Sequence, residues 1–342
     1  MTARPPAAVA TFGRLVELDA KMAHGILRYC DHIVAVVDAA HAGRRLKEIL
    51  PYAGRDIPVV ATIADAHRLG ARELVVGASP PGGAADPAMV GEVAAAAGLG
   101  MWIVHGLHTR LSRVPELAPY AERIVELRHR PLDERVATGR SASLGGNVVL
   151  TVASDCASGK MTAALELWQG LRRRGAAAEF VATGQTGMYI AGGGAPIDAV
   201  RSDFTAGVVE ELVLDAAAAA PDGYVLVEGQ GSILHPAYSG VSLSLLHGSA
   251  PNLLVFCHDL GRDQLAYFDQ PVVDVAEEIA LLERLSVHQR GARVVAVVGV
   301  DRGADPATAE RSRARLEDRL GLPVVPATAP GFDRLTDLIA EF

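Results

Sequence analysis

The sequence predicts an α/β protein built from two domains, each on a parallel sheet. Apolar runs of strand length alternate with helix-forming segments along the first 138 residues. At 146–162 a β-type run enters a small-residue loop ending in Gly159-Lys160, and a helix-forming stretch follows. Half of the residues are hydrophobic but only 5% are aromatic, and 35 of the 342 are glycine, a composition of tight turns and small-residue packing. A chain of this length exceeds the size at which one core stops growing. The reading is therefore a Rossmann-like domain over 1–138 and a P-loop NTPase-like, doubly wound domain over 139–342.

In the first domain, strands are expected at 32–38, 57–63, 73–77 and 101–105, with helices at 43–50, 64–69 and 87–97. Asp38 ends its strand where dinucleotide enzymes carry a ribose-binding acid, but no G-x-G-x-x-G precedes it. Gly77-Ala-Ser-Pro-Pro-Gly-Gly83 and His105-Gly-Leu-His108 follow strands at the carboxyl edge of the sheet, each either a ligand contact or a rigid turn. From 127 to 146 periodicity stops and charge rises, which reads as the linker. The second domain opens with a strand at 148–153 and a helix at 161–174. Further strands are expected at 179–182, 224–227, 253–257, 294–300 and 323–326.

Composition excludes several classes. No apolar run approaches the roughly 20 residues that span a bilayer, and the first residues lack a secretory pattern, so a cytoplasmic protein is expected. A net charge of −8 disfavours nonspecific nucleic-acid binding. Arg172-Arg173-Arg174 reads as a solvated helix end capped by Gly175. Cys30, Cys156 and Cys257 lack metal-ligand spacing, so neither a disulfide framework nor a metal site is expected. Cys156 stands apart because it lies inside the loop before Lys160, where a helix N-terminus and a cation favour a thiolate, although a small residue in a tight loop needs no chemical reason. Homo-oligomerisation is a base-rate expectation.

Ser154, Asp155, Cys156, Ala157, Ser158, Gly159, Lys160, Met161 and Thr162 form the candidate cofactor loop. Backbone N–H groups and a helix N-terminus converge on an anion there, and the lysine adds a full charge. The usual P-loop pattern has glycine where Ser154 stands and a magnesium-binding hydroxyl where Met161 stands. Both departures spare anion binding more than magnesium-dependent ATP hydrolysis. Glu228 ends an apolar strand before Gly229-Gln230-Gly231, the position from which an acid in P-loop folds reaches phosphates or metal. His235, nearest to it in sequence, is the candidate base among the histidines, and Asp203 joins these two as a catalytic candidate. Gln185 in Thr183-Gly-Gln-Thr-Gly187, Asp198, Arg201 and Gln230 are the candidate substrate contacts.

Several of these motifs occur together in one known family. Asp155-Cys-Ala-Ser-Gly-Lys-Met-Thr162, Thr183-Gly-Gln-Thr-Gly187, Asp203-Phe204, Val227-Glu-Gly-Gln-Gly231 and His235-Pro-Ala-Tyr-Ser-Gly-Val241 resemble the bacterial DgcN-type proteins. So do Lys21-Met-Ala-His-Gly25, Pro80-Pro-Gly-Gly83 and Gly106-Leu-His108. The P-loop half is also similar to dethiobiotin synthetase. The resemblance implies acetyl transfer from acetyl-CoA to the amine of a small amino acid, D-glutamate, with the P-loop on the cofactor's phosphates. Glu228 or His235 would then accept the amine proton and Arg201 would pair with a substrate carboxylate. Two other readings stay open at this point: an ATP- and magnesium-dependent kinase or ligase using Thr162, Asp198 and Glu228, and a nucleotide- or CoA-binding regulatory protein without turnover.

Overall fold

The computed structural model describes residues 4–302 and 304–342. The chain divides into two compact units: one runs to Pro131 and takes in Gln185–Pro196, and the other is Leu132–Gly184 with Ile197–Phe342. The sequence reading puts its boundary at 138/139 and assigns 185–196 to the second domain, so the two divisions differ there.

The first unit comprises β1 (Ala7–Ala10), α1 (Lys21–Tyr29), β2 (Ile33–Val37), β3 (Val59–Val60), α2 (Ile63–Arg68), β4 (Glu73–Val76), α3 (Pro87–Gly98), β5 (Trp102–His105) and β6 (Ile124–Glu126). Its strands lie in the order β3-β2-β1-β4-β5-β6, all parallel, the doubly wound arrangement of a Rossmann sheet. Side chains alternate between two cores. Ala7, Val9 and Val75 face one with Met22 and Ile26, while Ala8, Ala10, Leu74 and Val76 face the other with Met89 and Val93.

The second unit begins with β7 (Asn147–Ala153), α4 (Lys160–Arg173) and β8 (Ala178–Val181). The chain then forms α5 (Gln185–Ala191), within the first unit, before returning through α6 (Ser202–Ala219) to β9 (Tyr224–Val227). There follow α7 (Ser239–Ser249), β10 (Leu253–Asp259), α8 (Val275–Ser286), β11 (Arg293–Val300), α9 (Pro306–Leu320), β12 (Val324–Pro326) and α10 (Ala329–Ala340). The sheet order β12-β11-β10-β7-β9-β8 is again all parallel. The P-loop strand β7 is therefore central, and every β-to-α loop on the carboxyl edge beside it is a candidate to reach a ligand. Among the described residues no helix is long and apolar enough to cross a membrane.

Three expectations need correction. The helix at 43–50 is a single 3-10 turn, Leu46–Glu48, because Gly43 N–H donates to Val59 O and Arg45 pairs with Pro58, which holds the segment against β3. The strand at 57–63 shortens to β3, since Thr62 accepts from Asp65 N–H and starts α2. The stretch at 127–146 is polar in sequence but tied down in structure. Buried Glu210 of α6 accepts from Thr138 N and Oγ1, Gly139 N and Arg140 N. Beside it, a Cβ at Gly207 would lie 1.8 Å from Arg135 O. Gly207→Ala should therefore destabilise the second unit by about 2–4 kcal/mol, because a backbone carbonyl cannot move aside as a side chain does. Chemical denaturation monitored by tryptophan fluorescence would measure it.

The strands β1 and β6 and the helix α1 lie outside the expected elements. The first is only four small residues, and α1 carries Gly25 within it.

Candidate functional site

The loop between β7 and α4 owes its shape to two left-handed residues, Ala157 (φ 52°) and Gly159 (φ 94°). At Gly159 glycine is needed twice over, since a Cβ would also lie 3.1 Å from Val300 Cγ2. Ser154 is not among the left-handed residues. It can therefore replace the usual glycine, and its Oγ lies 2.9 Å from His258 Nδ1. Met161 and Thr162 lie half-buried in the first turn of α4.

Lys160 is buried at the start of α4, with Nζ donating to Asp155 O at 2.8 Å. Burial lowers its pKa, opposed by Cys156, Cys257, Asp155 and Glu278. Glu228 follows β9 and is buried with Oε2 accepting from Thr183 N (3.0 Å) and Gly184 N (3.1 Å). Burial pushes this carboxyl up to about 7 against those two amides and Lys160. The glycines around it approach protein. A Cβ at Gly229 would lie 1.6 Å from Thr151 O and 3.0 Å from Lys160 Cδ, and left-handed Gly231 packs on Tyr238. Gln230 Nε2 donates to Thr183 Oγ1 at 3.1 Å.

Glu278, absent from the sequence-derived candidates, completes this cluster. Ser232 Oγ donates to its Oε1 at 2.6 Å, its Oε2 has no hydrogen-bond partner among the described residues, and burial pushes the carboxyl up to about 7. The available signal was its place on the buried stripe of α8, with Val275, Ile279, Leu282 and Ser286.

Two arginines were also missed. Arg262, beyond β10, donates from Nη1 to Asp155 Oδ2 (2.6 Å) and Cys156 O (2.8 Å), and its Nη2 pairs with Asp259 Oδ2 (3.2 Å). Arg302, beyond β11, donates to Ala157 O and pairs through Nε with Asp259 Oδ2 at 2.8 Å. Each cation therefore grips a successive carbonyl of the same loop: Lys160 that of Asp155, Arg262 that of Cys156, and Arg302 that of Ala157.

His235 is fully buried, stacked on Tyr238 at 4.6 Å and edge-on to Phe268 at 4.9 Å. Its Nδ1 accepts from Ala237 N–H at 3.1 Å, which assigns the ring proton of the neutral imidazole to Nε2. Burial lowers its pKa and keeps that neutral form. The neutral His235 ring therefore presents Nε2–H as a donor, with its other nitrogen taken by Ala237 N–H. Among the described residues this Nε2 has no hydrogen-bond partner, and it lies 3.7 Å from Asp155 Oδ1.

Donor atoms of Asp155, Cys156 and His235 come within 4.8 Å of one another, a spacing that suits a metal. The chemistry does not. His235 Nε2 carries its proton in place of a lone pair, and Asp155 already accepts from Cys156 N, Ala266 N and Arg262. A buried N–H donor beside a lysine and a helix N-terminus fits an anion.

The remaining candidates make contacts of their own. Arg201 pairs with Glu134 at 2.5 Å and covers the Phe204 ring at 4.8 Å, with its side chain 74% exposed. Asp203 is exposed in the first turn of α6, and no hydrogen bond among the described residues joins it to the P-loop. Asp198 is exposed on a 3-10 turn and raises the Glu228 pKa. Gln185 belongs to the first unit, where Oε1 accepts from Arg128 Nη2 (2.8 Å) and Nε2 donates to Ser79 Oγ (3.2 Å). Asp38 is likewise spent on Thr11, Leu15 and His41 and is no ribose acid. His105 is buried with its pKa lowered to about 4 by burial. Cys30 and Cys257 are buried thiols pushed up to about 12 by burial, whereas Cys156 is half-buried.

Residues 135–336 match a domain of unknown function described as the DUF1611 P-loop domain, and residues 39–130 match its Rossmann-like N-terminal partner. The chain belongs to the DUF1611 family. A crystal structure of a DUF1611 family protein from Anabaena variabilis ATCC 29413 is 33% identical, covers 99% of this chain and 100% of that one, and superposes with a TM-score of 0.92. Two relatives are each named D-glutamate N-acetyltransferase. The protein from a Pseudoalteromonas species is 34% identical over 80% of this chain and 83% of its own length. The one from Tritonibacter scottomollicae is 34% identical over 85% and 88%. The two-domain α/β fold of the sequence reading and its P-loop half are thus those of this family.

Proposed function

We propose that this protein is an N-acetyltransferase that moves the acetyl group of acetyl-CoA to the amine of an amino acid, D-glutamate being the acceptor in its named relatives. The P-loop holds the cofactor's pyrophosphate. The observation that carries the loop assignment is the convergence of Lys160, the α4 N-terminus and the unpartnered Nε2–H of buried His235 on one loop. With Met161 at the magnesium position, binding without hydrolysis is the chemistry that suits this loop.

Reach then assigns roles. The pantetheine arm separates the thioester from the pyrophosphate by many bonds, so a group that touches the phosphates does not touch the reacting carbon. Glu228, packed through Gly229 against Lys160, accordingly positions the lysine, and the acceptor amine loses its proton to another group.

Calorimetric titration with acetyl-CoA, followed by mass spectrometry of an incubation with D-glutamate, tests the reading. The expected result is metal-independent binding and N-acetyl-D-glutamate. Binding of magnesium ATP alone, with ADP release, would select the ligase reading instead. Affinity for CoA should also fall between about pH 6 and about pH 8. Glu228 and Glu278, both near 7, ionise beside the bound phosphates over that window, so binding takes up protons. Titration in two buffers of different ionisation enthalpy would detect that uptake.

A further inference from the structure

We propose that Arg302, supported by Arg262, forms a second anion subsite at the rim of the P-loop that takes the 3′-phosphate of a coenzyme A-type nucleotide. This rests on the reading of the loop as the pyrophosphate holder.

The strands that deliver the two arginines are neighbours, with Asp259 of β10 opposite Val300 of β11. Buried Asp259 accepts from both guanidinium groups through one oxygen, and Arg262 is held again by Asp155. Such a frame fixes two long side chains before any ligand arrives, which lowers the ordering cost of binding. Arg302 is also anchored on the carbonyl of left-handed Ala157. It remains 45% exposed, and no hydrogen bond among the described residues uses its Nη1. A guanidinium has five donors in a planar fork, so a phosphate can be met without giving up the Asp259 and Ala157 contacts.

Position fits the chemistry. His235 Nε2–H lies 3.7 Å from Asp155 Oδ1 and Lys160 Nζ donates to Asp155 O, whereas Arg302 meets the same loop two residues on, at Ala157 O. In a coenzyme A nucleotide the 3′-phosphate is one ribose away from the pyrophosphate. A cation on the loop's own rim is therefore within reach of the third phosphate once the first two are seated. ADP, ATP and NAD lack that group, so this subsite sets the preference for coenzyme A.

The test compares the affinities of CoA and 3′-dephospho-CoA for the full-length protein and for Arg302→Gln and Arg262→Gln, with thermal melts to confirm folding. The wild type should prefer CoA by about 10- to 100-fold, the range of one or two charge-assisted hydrogen bonds. Arg302→Gln should bring the ratio close to unity. A purely structural role for Arg302 would lower the melting temperature without moving the ratio. Equal affinities in the wild type, or a ratio that neither variant changes, would overturn the subsite while leaving the P-loop reading intact. No binding of either nucleotide overturns both.

Discussion

Lys160→Ala is expected to weaken coenzyme A binding by about 100-fold or more, the effect of removing a buried cation from a phosphate site. Calorimetry reads this directly. The variant should still fold, for a reason visible in the cluster. Lys160 lowers the pKa of both Glu228 and Glu278, so its loss lets these carboxyls rise further and stay protonated. The stability cost should therefore be smaller at pH 6 than at pH 8. A variant that is unfolded at both values would mean that Lys160 packs the core of the loop and does more than hold charge. Unchanged affinity in a folded variant would remove the P-loop from cofactor binding.

The second large effect concerns stability against pH. A free carboxyl ionises near 4.5 in the unfolded chain, whereas burial holds Glu278 and Glu228 near 7 in the folded protein. Between those values the native state binds more protons than the unfolded state, so stability falls as pH rises through this window and levels off above it. Each group contributes about 3 kcal/mol to that fall. Glu278→Gln retains an acceptor for Ser232 and cannot ionise. It should be more stable than the wild type at pH 8, by about that amount, and nearly equal to it at pH 5. Denaturant titrations at the two values decide the matter. A variant less stable than the wild type at pH 8 would show that the charged carboxylate is compensated by groups other than Lys160.

Much of the fold was legible because its signals are local. The run Val148 to Ala153, the turn at Gly159 and the helix from Lys160 can be read from neighbours a few residues apart, as can β9, whose bounds match expectation. Elements failed where long-range pairing decided them. The 43–50 segment has helical composition but is tied through Gly43 and Arg45 to Val59 and Pro58, which leaves only the 3-10 turn Leu46–Glu48. The polar 127–146 stretch looks like a linker until Glu210, over sixty residues on, collects its amides.

The site divides the same way. Its loop and Glu228 announce themselves by spacing. Arg262, Arg302 and Glu278 do not, because they stand more than a hundred residues from Asp155 and meet the loop only through the parallel order of β7, β10 and β11 and the packing of α8. His235 was found, but its role depended on the amide of Ala237, which fixes which nitrogen carries the proton. Sequence by itself determined the fold class, the family and the place of the P-loop, since strand period, turn chemistry and a glycine-lysine helix start are written in consecutive residues. Tertiary structure alone decided which charges surround that loop, which of them are neutral and which carbonyls they grip, because burial and the meeting of distant strand ends are properties of the packed chain.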